Sequence, residues 1–304
     1  MSKVQAVSPT RLFAYFRQRY EGRVEIGADG EPFQVLDPRG AYADERLHLA
    51  VSEDGRHFTP LNGGEPVWDR WLRDPFLDRD PQGVWHLVGT TRAKGCILHA
   101  TSTDLKNWEG EDVPILGGLG ANNLWAPEWV WDEETQEFFV FWSSSFEREG
   151  WMNSRLYWSR TRDWKSFTEP ELMFAPPYSV IDGSLLRHDG RWYLFHKEEE
   201  FGPATGERRA IRVAVGERLE GPFETVGEPI SSTITEGPCV ARDPQGEGWL
   251  LYYDYCMADD YGLAWSNDLL NWTPVEDIAF PEGARHGSVS VIGSEDLPSV
   301  GTST

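Results

Sequence analysis

The amino-acid sequence predicts an all-β fold, a five-bladed β-propeller forming one domain over residues 1–304. Three observations predict it. A closing phrase shaped like S-x-D-x-x-x-W recurs five times, as AVSEDGRHF (50–58), ATSTDLKNW (100–108), YWSRTRDWKSF (157–167), VAVGERLEGPF (213–223) and LAWSNDLLNW (263–272). The units open at Asp74, Ala126, Asp182, Glu236 and His286, at separations of 52, 56, 54 and 50 residues. A period near fifty with four short strands per unit is that of a propeller blade. Helical periodicity is nowhere sustained, and the spacing leaves no room for crossover helices.

The elements follow one grammar. In the first unit RDPFLD precedes the turn DPQG, then VWHLVGTT, then CILHATSTDLKNW. The second runs APEWVWD, DEETQE, FFVFWSSS and RLYWSRTRDWKSF. The third runs IDGSLLRH, DG, RWYLFHKEE and IRVAVGERLEGPF, and the fourth EGPCVARD, PQGEG, WLLYYDY and YGLAWSNDLLNW. Alternating apolar and polar residues between Asp/Gly/Pro clusters mark strands and hairpins. The fifth unit is split. RLFAYFRQ (11–18) and ERLHLAVS (45–52) lie at the start, and the missing inner strand is RHGSVSVI (285–292). Pairing that strand with the N-terminal ones closes the ring and satisfies edges otherwise left open. Residues 22–44 read as an elaborated loop of this blade and 294–304 as a tail.

Composition narrows the function. An apolar fraction of 39% and 15 tryptophans exclude disorder. Fifty acidic against 28 basic residues give a net charge of −22, a field that repels nucleic acid and anionic membranes but not a neutral sugar. No run approaches the ~20 apolar residues of a membrane span. MSKVQAVSPTRLF lacks a long apolar region, so a cytoplasmic location is expected. Cys96, Cys239 and Cys256 are odd in number and lack metal-ligand spacing, which argues against a disulfide framework or a zinc site.

Hydrolysis of a glycosidic bond needs one protonated carboxyl for the leaving oxygen and one ionised carboxylate to activate water. A third charged neighbour can hold the acid's pKa up. Asp74, Asp182 and Glu236 fit in number and placement, each followed by a small or turn residue, at what reads as one register in three blades. Asp-Pro and Asp-Gly also start strands as plain turn residues; three such coincidences favour the chemical reading.

RDPF with Asp74, LWAPEW (124–129), VIDGSLL with Asp182, EGPCV with Glu236 and RHGSV with His286 resemble the signature of glycoside hydrolase family 43, one motif per blade and in order. The resemblance covers about 11–292. It implies a five-bladed propeller that cleaves with inversion, mainly on arabinose- and xylose-containing glycans. By resemblance Asp74 matches the general base, Asp182 the pKa modulator and Glu236 the general acid. His286 matches a histidine near the axis that contacts water or a bound cation, which admits a structural Ca2+ there; no cofactor is required. An inverting site needs its base and acid about 6.5–9.5 Å apart. Many relatives have WAPD where this chain has Glu128, one methylene longer, a candidate for contact with sugar hydroxyls. Arg73 is a cation beside the base, and Trp125 is the candidate platform for a sugar face.

Trp108, Trp164 and Trp272 end the repeated outer phrase and read as packing between blades. Cys239 reads as a small buried residue, and the HKEEE run (196–200) as a solvated loop. The expected activity is exo-acting removal of terminal α-L-arabinofuranosyl residues from plant-type oligo- or polysaccharides. β-Xylosidase and galactofuranosidase activities of the same fold are the alternatives. A retaining fructan hydrolase would need an N-terminal N-D-P-N motif, and WMNS (151–154) lies between strands of the second blade. A sugar phosphorylase would need a cationic cluster beyond Arg73 and Arg285. A non-catalytic glycan-binding propeller is disfavoured by the three retained carboxylates.

Overall fold

A computed structural model of the chain describes residues 10–18, 20–26, 32–36, 45–146, 152–256, 258 and 260–293. Strand β1 spans Thr10–Arg17; β2 (Tyr20–Ile26) and β3 (Pro32–Leu36) form a two-stranded hairpin; β4 (His48–Ser52) and β5 (Thr59–Pro60) follow. The first complete blade is β6 (Arg73–Arg79), β7 (Trp85–Thr90), β8 (Cys96–Ser102) and β9 (Glu109–Pro114). The second is β10 (Trp125–Asp132), β11 (Glu137–Ser144), β12 (Arg155–Thr161) and β13 (Glu171–Phe174). The third is β14 (Val180–His188), β15 (Arg191–Glu198), β16 (Ala210–Gly216) and β17 (Glu224–Val226). The fourth is β18 (Thr235–Arg242), β19 (Trp249–Tyr255), β20 (Tyr261–Ser266) and β21 (Thr273–Pro274). Strand β22 (Ala284–Ile292) pairs antiparallel with β1, in a sheet ordered β22-β1-β4-β5. The molecule is a five-bladed β-propeller closed by its last strand, as the split fifth unit requires. The 22–44 loop contains the β2–β3 hairpin; its other residues and the 294–304 tail lie outside the described residues.

Five hydrophobic clusters hold the ring, and each lies between two neighbouring blades. The repeated closing phrase explains why. Its serine or threonine and aspartate knot the turn: the Ser102, Thr161 and Ser266 hydroxyls accept from the amides of Leu105, Trp164 and Leu269. The aromatic that follows is delivered to the preceding blade. Trp164 stacks on His99 with ring centres 4.0 Å apart, Trp272 meets Phe195 edge-on, and Trp108 lies against Trp68. These three tryptophans are packing residues, as the repetition implied.

Each first strand of the complete blades carries a bulge near its start. Pairing skips between Arg73 and Phe76, Trp125 and Glu128, Ile181 and Ser184, and Glu236 and Cys239. The residue that turns the chain has left-handed φ: Asp74 at 50°, Ala126 at 45°, Asp182 at 52° and Gly237 at 62°. Such a residue re-aims its side chain out of the ladder, at a cost of about 1 kcal/mol or more when it is not glycine. The bulges correct one alignment drawn from sequence. Asp74 and Asp182 share a register, but Glu236 sits one residue earlier, equivalent to Arg73, Trp125 and Ile181. The fourth-blade counterpart of the two aspartates is Gly237.

Candidate active site

A cavity of about 440 Å³ lies on the axis where the first strands begin. Three positions per blade stand at or just behind its floor. The residue before the bulge is Arg73, Trp125, Ile181, Glu236 or Arg285. The residue at the bulge is Asp74, Ala126, Asp182, Gly237 or His286. Opposite the first position, on the neighbouring strand, stand Thr90, Ser143, Lys197, Asp254 and Phe16. Bulge amides tie each blade to the one before. Ala126 N donates to Thr90 Oγ1 (2.9 Å), Asp182 N to Ser143 Oγ (3.1 Å) and His286 N to Asp254 Oδ2 (2.5 Å). Gly237 N breaks the pattern, because Lys197 has no acceptor to offer. It donates instead to Asp182 Oδ2 at 3.2 Å.

Of the residues singled out from sequence, Asp74, Asp182, Glu236, Trp125, Arg73 and His286 all line this cavity. Glu128 does not: it is buried behind the floor beside Ser184, and its carboxyl is pushed up to about 8 chiefly by burial. Arg73 pairs with the buried carboxylate of Glu45, which also accepts from Trp71 Nε1. HKEEE is the clearest correction. His196, Lys197, Glu198 and Glu199 are buried, and Lys197 and Glu199 line the cavity. Alternation along RWYLFHKEE sends Tyr193, Phe195 and Lys197 to one side, which periodicity alone could have shown.

The electrostatics divide the three carboxyls. Burial pushes Asp74 upward, but the His286 imidazole, with Nδ1 3.4 Å from Oδ1, outweighs it and holds the carboxyl low, helped by the Thr90 hydroxyl at 2.6 Å. Asp74 is therefore an anion with a free direction toward the cavity, suited to accepting a proton from water. His286 loses charge affinity by burial, yet Asp182 and Asp74 raise it to about 10, so it is an imidazolium at neutral pH. Among the described residues no group of three or more His, Cys, Asp or Glu is arranged to hold an ion.

Glu236 and Asp182 lie within reach of the same Lys197 and His286 cations. Burial pushes Glu236 up, but Lys197 Nζ at 2.9 Å from Oε2 and Arg285 Nη2 at 2.6 Å from Oε1 hold it far below the usual carboxylate range. Burial raises Asp182 to about 7, with the His286 and Lys197 cations opposing and the Glu236 anion adding to it. Of the two, Asp182 holds a proton the more readily. Behind them Asp254, pushed up to about 6 by burial, holds Arg285 Nε at 3.0 Å.

Comparison with known proteins places these features. The family profile described as "probable glycosyl hydrolase domain", related to glycoside hydrolase family 43, matches residues 36–297. An α-L-arabinofuranosidase of Bifidobacterium longum subsp. longum is 31% identical over 199 residues, covering 53% of this chain and 19% of that protein. A β-xylosidase of Xylanibacter ruminicola is 31% identical over 71 residues, 23% of this chain and 21% of that protein. The chain thus spans about a fifth of the length of these curated relatives. Among solved structures, a thermostable family-43 glycoside hydrolase superposes with a TM-score of 0.62 at 12% identity, over 89% of this chain and 96% of that one. At that identity the likeness is one of fold.

Proposed function

This chain belongs to the glycosyl hydrolase domains related to glycoside hydrolase family 43, and on that premise we propose that it is an inverting glycosidase. Its proposed action is exo-hydrolysis of terminal α-L-arabinofuranosyl residues. The observation that carries the reading is the meeting of Asp74, Asp182 and Glu236 around one cavity of about 440 Å³, with Asp74 held low and Asp182 pushed up to about 7. A small cavity floored by buried residues suits a chain end, and its aromatic walls Trp125, Trp71 and Phe16 suit the C–H face of a sugar.

In the proposed reaction water attacks the anomeric carbon while the glycosidic C–O bond breaks. Asp74 takes a proton from the water and Glu236 gives one to the leaving oxygen. The active form carries one proton on the Asp182–Glu236 pair and none on Asp74. The burial of Asp182 supports the first condition and His286 the second. Return of the proton from Asp74 to the pair through solvent completes the cycle.

The sugar is proposed from the arabinofuranosidase relative and is tested with nitrophenyl α-L-arabinofuranoside, β-xyloside and galactofuranoside. Nuclear magnetic resonance of the first product formed should show inverted anomeric configuration; retention would overturn the mechanism. Glu236→Ala should lower turnover of an unactivated arabino-oligosaccharide by roughly 10²–10⁴-fold. Its loss should be much smaller on a nitrophenyl glycoside, whose leaving group needs little protonation. Equal losses on both would remove Glu236 from the acid role.

A further inference from the structure

Lys197 occupies the floor position held in other blades by Thr90, Ser143, Asp254 and Phe16, and it alone among them is a cation. Its side chain is 2% exposed, with Nζ 2.9 Å from Glu236 Oε2 and 2.6 Å from Glu199 Oε2. One ammonium thus lies between two carboxylates that both face the cavity. The Glu199 main chain is held by its amide, which donates to Ser179 O at 2.8 Å.

Glu236, Glu199 and Asp254 face Lys197 and Arg285. His286 also acts on Glu236, Asp182 and the Cys256 thiol on Lys197, and Arg209, itself paired with Glu207, on Glu199. Burial raises Glu199, with Lys197 opposing. The position of the Lys197 ammonium therefore decides which of Glu236 and Glu199 more readily takes a proton.

We propose that Lys197, which bridges Glu236 and Glu199, is a positioning residue that withdraws onto Glu199 alone when glycoside is bound, and that this withdrawal lets Glu236 hold the proton it donates. The proposal rests on the reading of Glu236 as the general acid. It accounts for an acid that Lys197 and Arg285 together hold ionised. An acid clamped by two cations protects no proton, and releasing one clamp restores its affinity where the leaving oxygen can use it. Arg285 cannot be the movable clamp, because Asp254 and Gln18 Oε1 (2.6 Å) hold its other nitrogens.

The test uses the full chain and pH profiles of kcat/KM on an unactivated arabino-oligosaccharide. Lys197→Met removes the cation at similar volume and should raise the alkaline limb, set by loss of the Glu236 proton, by one pH unit or more. Glu199→Gln leaves Lys197 with Glu236 as sole anionic partner and should lower that limb by a similar amount. In the double variant the glutamine should add no further shift. Limbs that stay in place, or move the same way in both single variants, would overturn the proposal. A carboxyl infrared band that disappears in Glu236→Gln reads the same titration without turnover. Opposite shifts of that band in a protein that hydrolyses no glycoside would refute the assigned reaction and uphold the role of Lys197. If Lys197→Met fails to fold, the direction of the Glu199→Gln shift alone decides.

Discussion

At the scale of single residues, the site depends on backbone positions that most side chains avoid. Gly237 has φ of 62°, and a Cβ there would stand 2.6 Å from Cδ2 and Cγ of His286. Two costs meet at one atom: the left-handed conformation and the displaced imidazolium. Gly237→Ala should destabilise the protein by roughly 1–3 kcal/mol, seen as a lower denaturation midpoint. It should also lower turnover more than stability, because His286 is what keeps Asp74 ionised. A variant with a lowered midpoint and unchanged turnover would show that the imidazolium is not needed there. The identities of Asp74, Asp182, Glu236, Trp125, Arg73 and His286 could be picked out from motif order. The proton arrangement among them could not, because it depends on Lys197 and Arg285, brought to Glu236 from 39 and 49 positions away.

At the scale of elements, the seams between blades carry both packing and titration. His99 on β8 is sandwiched with His86 and Trp164, its Nε2 3.0 Å from His86 Nδ1; Asp80 reaches His86 from the other side at 3.3 Å. Burial, and secondarily His86, lowers His99 to about 3. The unfolded chain binds this proton from about pH 6.5 downward while the native seam refuses it, so stability falls as pH drops through that window. At about 1.4 kcal/mol per pH unit, the parent should lose on the order of 2 kcal/mol relative to His99→Gln between pH 6.5 and 4.5. Urea titrations at the two pH values check this, and parallel loss in both proteins would show that His99 is not the source of the acid sensitivity. The strands themselves were legible from alternation and turn residues. Five polar residues in a row make HKEEE resemble a loop, whereas β15 ends inside the wheel, where Lys197 meets Glu236, Glu198 meets Arg208 and Arg212, and His196 meets the Tyr178 hydroxyl.

At the scale of the whole molecule, closure by β22 joins the two ends of the ring. Arg11 to Ser52 and Thr10 to Ile292 pair in one sheet, and Leu77 N on the first complete blade donates to Ser288 Oγ. Removing residues 284–304 would strip the inner strand from the split blade and take Arg285 and His286 from the cavity. Such a truncation should yield no soluble monomer by size-exclusion chromatography, since it exposes the edge of β1 and opens two of the five inter-blade cores. Recovery of a folded, monodisperse truncation would show that the ring does not need its closing strand.

The sequence by itself determined the wheel: the number of blades, the split unit, the closing aromatics and the residues offered to the hub, because each depends on local alternation, turn chemistry and a period repeated along the chain. Only the tertiary structure decided the register of Glu236 against the two aspartates, the withdrawal of Glu128, and the capture of Lys197 between two carboxylates. A bulge shifts one residue without marking the letters around it. The proton affinity of a buried acid is set by charges a few ångströms away, wherever in the chain they begin.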